Sequence, residues 1–131
     1  MACHVSPVRL IARFAPLGLA ALLLAGQARA DAARGADVFD ENCAECHSVA
    51  QPLKYKKGPG LFGVVGRAAA TVPDFKYSDA LIASKLTWTP ESLDAYIRSP
   101  KSAVPGGKMK FDGLDDAGAR QDLIDFLRSP G

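Results

Sequence analysis

Cys43-Ala44-Glu45-Cys46-His47 is the stretch on which the reading of the whole chain depends. Two cysteines three positions apart lie on one side of a helical turn, so their thiols point in a common direction. His47 follows immediately and adds an imidazole to the same turn. Cys-x-x-Cys-His is the signature for attachment of a c-type haem. It predicts that both thiols bond the vinyl-bearing edges of one porphyrin and that His47 ligates its iron from below.

Three other sites could use the same residues. A disulfide between Cys43 and Cys46 would close a very small loop, and such bridges are usually redox catalysts rather than structural staples. A thioredoxin-like site requires a βαβ pattern, which the flanking sequence lacks. A zinc site needs about four ligands, and Cys43, Cys46 and His47 have no fourth cysteine or histidine nearby in the sequence. Haem attachment is therefore the favoured prediction.

The N-terminal residues have the pattern of a cleaved export signal. Arg9 and Arg13 precede an almost unbroken apolar run at 14–25, and Ala28-Arg29-Ala30 is an A-x-A cleavage site. The run is too short for a membrane-spanning helix. The alternative is a retained amphipathic anchor. Residues 1–30 are thus predicted to be removed on export to a bacterial periplasm, where covalent haem attachment takes place.

The remaining residues, 31–131, fit one small domain. At 101 residues an apolar core is marginal but feasible, and a buried porphyrin would supply much of it. Without the signal the chain has 13 basic and 14 acidic side chains, so the formal charge changes from +2 to −1. This balance excludes the strongly basic class of nucleic-acid binders.

The inventory of possible iron ligands in this domain is short. His47 is its single histidine and Met109 its single methionine. If the iron has two protein ligands, a second histidine is excluded, and Met109 is the one soft axial candidate. The backbone before Met109 contains the turn formers Pro105, Gly106 and Gly107, which would let it bring Met109 over the porphyrin from the side opposite His47.

The sequence predicts an all-α domain with long irregular segments. Helical patterns occupy about 31–44, 77–83, 89–98 and 115–127, with N-cap candidates at Ser78 and Thr89. Turn-forming residues dominate 48–75 and 99–113. Gly35 and Phe39 share a face of the first helix, and the small glycine favours close crossing by another helix. The apolar face of the last helix, with Leu123 and Phe126, is its natural partner. The alternative is that Gly35 only frays the first turn.

Three residues in these segments are candidates for contact with the porphyrin. The carbonyl of Pro59 can accept a hydrogen bond from His47 and so orient the imidazole, although Pro59 also fits a plain turn. Trp88 and Tyr77 need polar partners when buried, and haem propionates would provide them. The alternative for both is an ordinary core position.

A series of short motifs also runs along the chain in a fixed order. These are Gly35…Phe39, Cys43–His47, Lys57-Gly58-Pro59, Leu61…Gly63, Gly66-Arg67, Tyr77-Ser78-Asp79-Ala80, Leu86-Thr87-Trp88, Leu93…Tyr96, Pro100-Lys101, Val104-Pro105-Gly106, Lys108-Met109, Phe111…Gly113 and Asp122…Leu127. In this ordered set the chain resembles the class I cytochromes c, of the mitochondrial cytochrome c and bacterial cytochrome c2 type. The similarity extends over essentially all of residues 35–127.

The resemblance implies a small cytochrome c fold, in which crossed N- and C-terminal helices, short helices and long loops wrap one haem. It implies thioether bonds from Cys43 and Cys46, axial ligation by His47 and Met109, and a hydrogen bond from His47 to the Pro59 carbonyl. The further contacts it implies are propionate contacts from Arg67, Tyr77 and Trp88, and a hydrogen bond from Tyr96 near the Met109 sulfur.

The function expected from this resemblance is electron transfer rather than catalysis. A soluble, monomeric carrier would receive electrons from a quinol–cytochrome c reductase-like donor. It would pass them to a terminal oxidase or a reaction-centre-like acceptor. Two rival classes are a haem peroxidase or gas sensor with Met109 off the iron, and a fixed electron-entry subunit of a dehydrogenase complex.

Charge patterning suggests how partners would dock. Five lysines lie in the two loops expected to rim the haem edge: Lys54, Lys56, Lys57, Lys101 and Lys108. Acidic residues cluster instead in the terminal helices. A positive haem face would speed salt-sensitive encounters with acidic partners. The alternative is a set of solvated lysines without a common role.

Overall fold

A computed structural model describes residues 32–130, and the predicted signal at 1–30 lies outside the described residues. The described part contains five helices: α1 at residues 32–42, α2 Asp79–Ser84, α3 Pro90–Arg98, α4 Pro100–Ala103 and α5 Ala117–Arg128. In this part the only β pairing is an isolated antiparallel bridge between Ala68 and Thr87. The predicted all-α class is confirmed. No helix within 32–130 has the length and apolarity needed to cross a bilayer.

The starts of three helices are fixed by side-chain caps. Ser78, Thr89 and Asp116 each precede a helix, and their side-chain oxygens accept hydrogen bonds from the backbone N–H groups of Leu81, Ser92 and Ala119, respectively. Such caps satisfy donors that have no partner within the helix. The predicted starts at Ser78 and Thr89 are thus observed, and the last helix begins two residues later than expected.

Helix α4 is absent from the sequence prediction. Residues 99–113 were expected to be irregular throughout, which is wrong at Pro100–Ala103, where a four-residue helix forms. Pro100 correctly ends α3, but it also occupies the first position of the next helix, where its missing N–H costs nothing. A turn this short has no apolar period to reveal it in the sequence.

The two terminal helices cross at Gly35. A Cβ atom built there would lie 2.1 Å from the Asp122 carbonyl oxygen and 2.6 Å from the Phe126 Cβ, so only glycine fits. One turn later, the ring of Phe39 packs against that of Phe126 at 5.6 Å between centroids. The Arg34 guanidinium lies 2.9 Å from the Asp122 carboxylate at the edge of the contact. The close crossing predicted from Gly35 is therefore present.

The core lies between this helix pair and two long irregular segments. We call residues 43–78 the first connection and residues 104–116 the second connection. Leu123 and Ile124 of α5 are 1% exposed and form the centre of the core. The other buried members of this cluster are Phe39, Val64, Trp88, Leu93, Ile97 and Leu127. Side chains from both connections thus contact the same helices that close the chain.

Arg120 on α5 is buried, with 6% of its surface exposed. Its Nε donates to the Asp94 carboxylate of α3 at 2.7 Å, and its Nη1 donates to the carbonyls of Leu114 and Asp115 at 2.9 and 2.8 Å. One guanidinium therefore ties α3, α5 and the end of the second connection together. Its charge gave no sign of this in the sequence, where arginine in a helix is normally exposed.

We expect Arg120→Ala to lower the free energy of unfolding by about 3 kcal/mol, because it leaves Asp94 and two carbonyls without their donor. Arg128→Ala is the matched control in the same helix. Arg128 pairs with Asp125 at 3.4 Å on the half-exposed surface, where an ion pair contributes roughly 0–1 kcal/mol. Denaturant unfolding of both variants measures the difference, and equal losses would contradict the role given to Arg120.

Candidate haem site

A cavity of about 370 Å³ opens between α3, α5 and the two connections. Its walls are mostly apolar, with Leu61, Val64 and Leu93 among the lining residues. Every site residue predicted from the sequence lines it: Cys43, Cys46, His47, Pro59, Arg67, Tyr77, Trp88, Tyr96 and Met109. The fold thus brings together nine residues that are spread over two thirds of the described chain.

The two cysteines enter the cavity from the end of α1. The N–H groups of Cys46 and His47 donate to the Cys43 carbonyl at 3.0 and 2.9 Å, which makes the motif a tight turn. Both thiols are free rather than joined in a disulfide. Burial, with a smaller contribution from Cys46, raises the pKa of the Cys43 thiol to about 11. Within residues 32–130, no three histidine, cysteine, aspartate or glutamate side chains are arranged so that they could hold a metal ion by themselves.

His47 is buried, and its orientation is fixed by two neighbours. Its Nδ1 lies 2.8 Å from the Pro59 carbonyl oxygen. A carbonyl can only accept, so Nδ1 carries the proton and Nε2 keeps a free lone pair. A Cβ on Gly58 would lie 2.4 Å from the imidazole Cε1, so the Gly58 backbone packs directly on the ring. Burial lowers the pKa of His47, which favours the neutral form that binds metals.

Arg67 and Tyr77 form the polar part of the wall. The Arg67 guanidinium donates to the carbonyls of Phe62 and Gly60 at 2.9 and 2.8 Å, and so holds the first connection in a fold. The Tyr77 hydroxyl accepts from the Val72 N–H at 3.1 Å. Burial raises the pKa of Tyr77, so its hydroxyl keeps its proton and remains able to donate. Both groups have donor capacity left for a ligand.

Trp88 and Tyr96 line the cavity side by side. Their rings pack edge to face at 4.9 Å between centroids, and Trp88 is 8% exposed. Among the described residues, neither the indole N–H nor the Tyr96 hydroxyl has a hydrogen-bond partner, and no fully buried side-chain atom is left unsatisfied. Both residues line the cavity, so a molecule bound there could accept hydrogen bonds from these two donors.

Met109 lies on the second connection and is half-buried at the cavity wall. Gly106 precedes it with a φ of +84°, a left-handed turn that favours glycine. The backbone of residues 108–113 makes no hydrogen bond to any other backbone group of the described chain. Side chains rather than backbone contacts therefore hold the segment that carries the thioether.

The lysines predicted to rim the site differ in position. Lys57 and Lys108 line the cavity, whereas Lys54, Lys56 and Lys101 do not. Lys57 pairs with Glu45, and Lys101 lies 3.3 Å from Asp112. Lys110, which the sequence prediction omitted, also lines the cavity and is exposed. Its place immediately after Met109 is the signal that could have identified it.

Two further lining residues were missed. The sequence predicted no contact with the site for Gly58, yet its backbone packs against the His47 ring. Phe75 lines the cavity and contacts three other side chains. No local pattern marks an aromatic residue in an irregular segment as part of a site, so the sequence contains no signal for Phe75.

The donor set of this cavity fits a covalently bound haem. Two free thiols, one neutral imidazole and one thioether line a single apolar space, which matches the ligand types of c-type haem. The family model for cytochrome c matches residues 32–130. The chain belongs to the cytochrome c family. This confirms the class I c-type cytochrome expected from the motifs.

Similar cytochromes come from several organisms. The chain is 46% identical over 99 residues to the cytochrome c-type cyt cy of Rhodobacter capsulatus, covering 76% of the chain but only 49% of that relative. It is 44% identical over 105 residues to cytochrome c2 of Blastochloris viridis, covering 80% of the chain and 82% of that protein. The solved structure of cytochrome cH from Methylobacterium extorquens is similar with a TM-score of 0.71, 39% identity, and coverage of 76% and 98%.

This cytochrome is therefore a haem-containing electron carrier. Its family implies a covalently bound haem c, and Cys43 and Cys46 occupy the Cys-x-x-Cys-His attachment motif. The chain spans about half the length of the Rhodobacter relative, so what that longer protein does as a whole is not transferred to it.

Proposed function

We propose that the protein is a soluble periplasmic carrier of single electrons with a His/Met-ligated haem. In this proposal residues 1–30 are a cleaved signal peptide and residues 31–131 form one cytochrome c domain. The observation that carries the ligation is that His47 and Met109 line the same apolar cavity as Cys43 and Cys46. The haem, when bound, supplies one-electron exchange between ferric and ferrous iron.

The residues of the first connection prepare the imidazole ligand. The Pro59 carbonyl keeps the proton on Nδ1 of His47, which leaves Nε2 for iron and increases the basicity of the ligand. The Gly58 backbone prevents the ring from tilting toward it. Both contacts exist within the folded chain, so the ligand does not have to be reoriented when the iron is reduced or oxidised.

Met109 and the apolar walls determine the potential. Thioether sulfur stabilises ferrous iron better than a second imidazole does, and burial disfavours the extra positive charge of ferric iron. Both effects raise the potential. A Met109 thioether that held the iron would also keep oxygen and peroxide off it, which would separate a carrier from a peroxidase.

The polar residues of the cavity wall are assigned to the haem periphery. Arg67, Tyr77 and Trp88 are proposed to donate hydrogen bonds to the propionates, and Tyr96 to donate near the Met109 sulfur. The donor capacity of Arg67 and Tyr77, together with the unpartnered indole N–H of Trp88, supports this assignment. The Tyr96 hydroxyl likewise opens on the cavity.

Charge separation supports docking at the haem edge. The terminal helices and their caps, residues 32–42 and 115–128, carry seven acidic and three basic side chains. Residues 43–114 carry six acidic and ten basic side chains. Three exposed lysines of this basic segment, Lys57, Lys108 and Lys110, line the cavity and define its mouth. We propose that acidic faces of a quinol–cytochrome c reductase-like donor and of an oxidase or reaction-centre-like acceptor dock there.

We expect Lys110→Glu to slow oxidation of the ferrous protein by hexacyanoferrate(III) roughly two- to fivefold at low salt, since it reverses an exposed charge at the cavity mouth. Lys85→Glu is the matched control, because Lys85 is also exposed but does not line the cavity. Stopped-flow rates at increasing ionic strength measure both. Equal effects of the two substitutions would contradict a docking face at the haem edge.

The proposed ligation is tested by optical spectra of the ferric and ferrous protein with and without carbon monoxide. Low-spin bands that do not respond to carbon monoxide, with a ferric methionine–iron charge-transfer band, are expected. Ready binding of carbon monoxide by the unmodified protein would instead identify an open distal site, as in a peroxidase or gas sensor. Absence of covalently retained haem in the purified protein would overturn the carrier assignment itself.

A further inference from the structure

Phe75 is one of the residues through which the two connections contact each other. Its ring packs edge to face against Tyr77 at 4.8 Å and against Tyr55 at 5.8 Å between centroids. The ammonium group of Lys108, from the second connection, lies 5.2 Å from the centroid of the same ring. Phe75 and Tyr77 line the cavity, whereas Tyr55 is 53% exposed. A single aromatic side chain therefore joins the surface, the cavity wall and the segment next to Met109.

Lys108 is attached to this cluster in two ways. Its ammonium group donates a hydrogen bond to the Lys76 carbonyl, and it lies over the Phe75 ring. An ammonium group over an aromatic face gains a cation–π attraction that does not depend on a fixed torsion of the lysine stem. The residue directly before Met109 is thus anchored to the first connection.

The segment that carries Met109 has few other anchors. Residues 108–113 make no backbone–backbone hydrogen bond within the described chain, and Gly106 and Gly107 supply no side chains. The Lys101–Asp112 pair is exposed at both partners and contributes little in water. Phe111 and Leu114 pack against the core after Met109, and the contacts of Lys108 restrain the same segment directly before it.

We propose that Tyr55, Phe75, Tyr77 and Lys108 form a clasp that holds Met109 at the cavity, with Phe75 as its central positioning residue. The inference rests on the proposed ligation by Met109. None of the four clasp residues belongs to the core cluster that contains Leu123 and Ile124, so opening the clasp removes the Lys108 contacts without removing a core side chain. Loss of the clasp therefore weakens the methionine–iron bond while the rest of the fold remains intact.

The test compares ring-removing and ring-preserving variants of the haem-loaded protein. Phe75→Leu keeps an apolar side chain but removes the ring face and edges, whereas Phe75→Tyr keeps them. Tyr55→Leu and Tyr55→Phe form a second such pair at the exposed end. Leu53→Ala is the control for an exposed apolar residue of the same connection, since Leu53 is 38% exposed and outside the cluster.

The readouts are the affinity of the ferric protein for added imidazole, which must displace Met109, and the methionine–iron charge-transfer band. Phe75→Leu is expected to raise the imidazole affinity about tenfold, because loss of aromatic and cation–π contacts shifts the opening equilibrium by that order. Phe75→Tyr, Tyr55→Phe and Leu53→Ala should stay within about twofold of the parent protein, and the denaturation midpoint of Phe75→Leu should change little.

Three results overturn the clasp. The imidazole affinity of Phe75→Leu stays at the parent value, or it rises equally in Phe75→Tyr, or it rises only in proportion to a loss of global stability. If the parent protein shows the methionine–iron band and Phe75→Leu has the parent imidazole affinity, the clasp is refuted but ligation by Met109 is not. A parent protein without that band refutes ligation by Met109, and the clasp with it.

Discussion

Met109→Ala is expected to lower the reduction potential by on the order of 0.1 V or more, because axial ligands set haem potentials over roughly 0.8 V. The same substitution should let the ferrous protein bind carbon monoxide. The physical reason is the loss of the proposed axial thioether, the single methionine sulfur among residues 32–130, from a half-buried position at the cavity wall. Redox titration and carbon monoxide difference spectra measure the two effects.

Two companion variants separate coordination from packing. Met109→His should exclude carbon monoxide as the parent protein does, but its reduction potential should lie below that of the parent protein. A second imidazole fills the site without stabilising ferrous iron as sulfur does. Phe111→Leu alters an apolar wall residue of the same connection and should leave both properties nearly unchanged. A Met109→Ala protein with the parent potential and no response to carbon monoxide would show that the sulfur is not a ligand.

Gly35→Ala should lower the free energy of unfolding by about 3 kcal/mol. The added methyl group would meet the Asp122 carbonyl at 2.1 Å, and a backbone atom of a packed helix cannot move aside easily. The gain of about 1 kcal/mol in helix propensity offsets only part of this overpacking. Denaturant unfolding followed by circular dichroism measures the change.

Gly118→Ala provides the matched control for that experiment. Gly118 lies in the first turn of α5 and is exposed, and the nearest atom to a built Cβ is the Asp116 side-chain oxygen at 3.2 Å. The same substitution there should be neutral or stabilising by up to about 1 kcal/mol. If both glycine variants lose similar stability, the destabilisation does not come from the helix crossing.

Local sequence signals were sufficient for most of the fold. Capping side chains at Ser78 and Thr89 marked the starts of α2 and α3 because hydrogen bonds of this type are formed within a few residues. Gly35 indicated the helix crossing because an interior glycine needs a packing reason. Helix α4 escaped prediction, since four residues are too few to show a period.

The site was predictable where chemistry demands a particular residue type. Cys43, Cys46 and His47 were predicted from the attachment motif and Met109 from the inventory, and all four line one cavity. Arg120 and Phe75 could not be identified in this way. Their roles arise from partners distant in the chain, such as Asp94 for Arg120 and Lys108 for Phe75, and no short window of sequence contains both members of such a pair.

The crossing of α1 and α5 has a consequence for biosynthesis. The residues that meet there, such as Arg34 and Asp122, are 88 positions apart, so at roughly 5–20 residues per second the ribosome needs roughly 4–18 s between them. During that interval α1, which the Cys43–His47 turn follows, has no α5 to pack against. Packing of α1 against α5 therefore has to wait until nearly the whole domain has been synthesised.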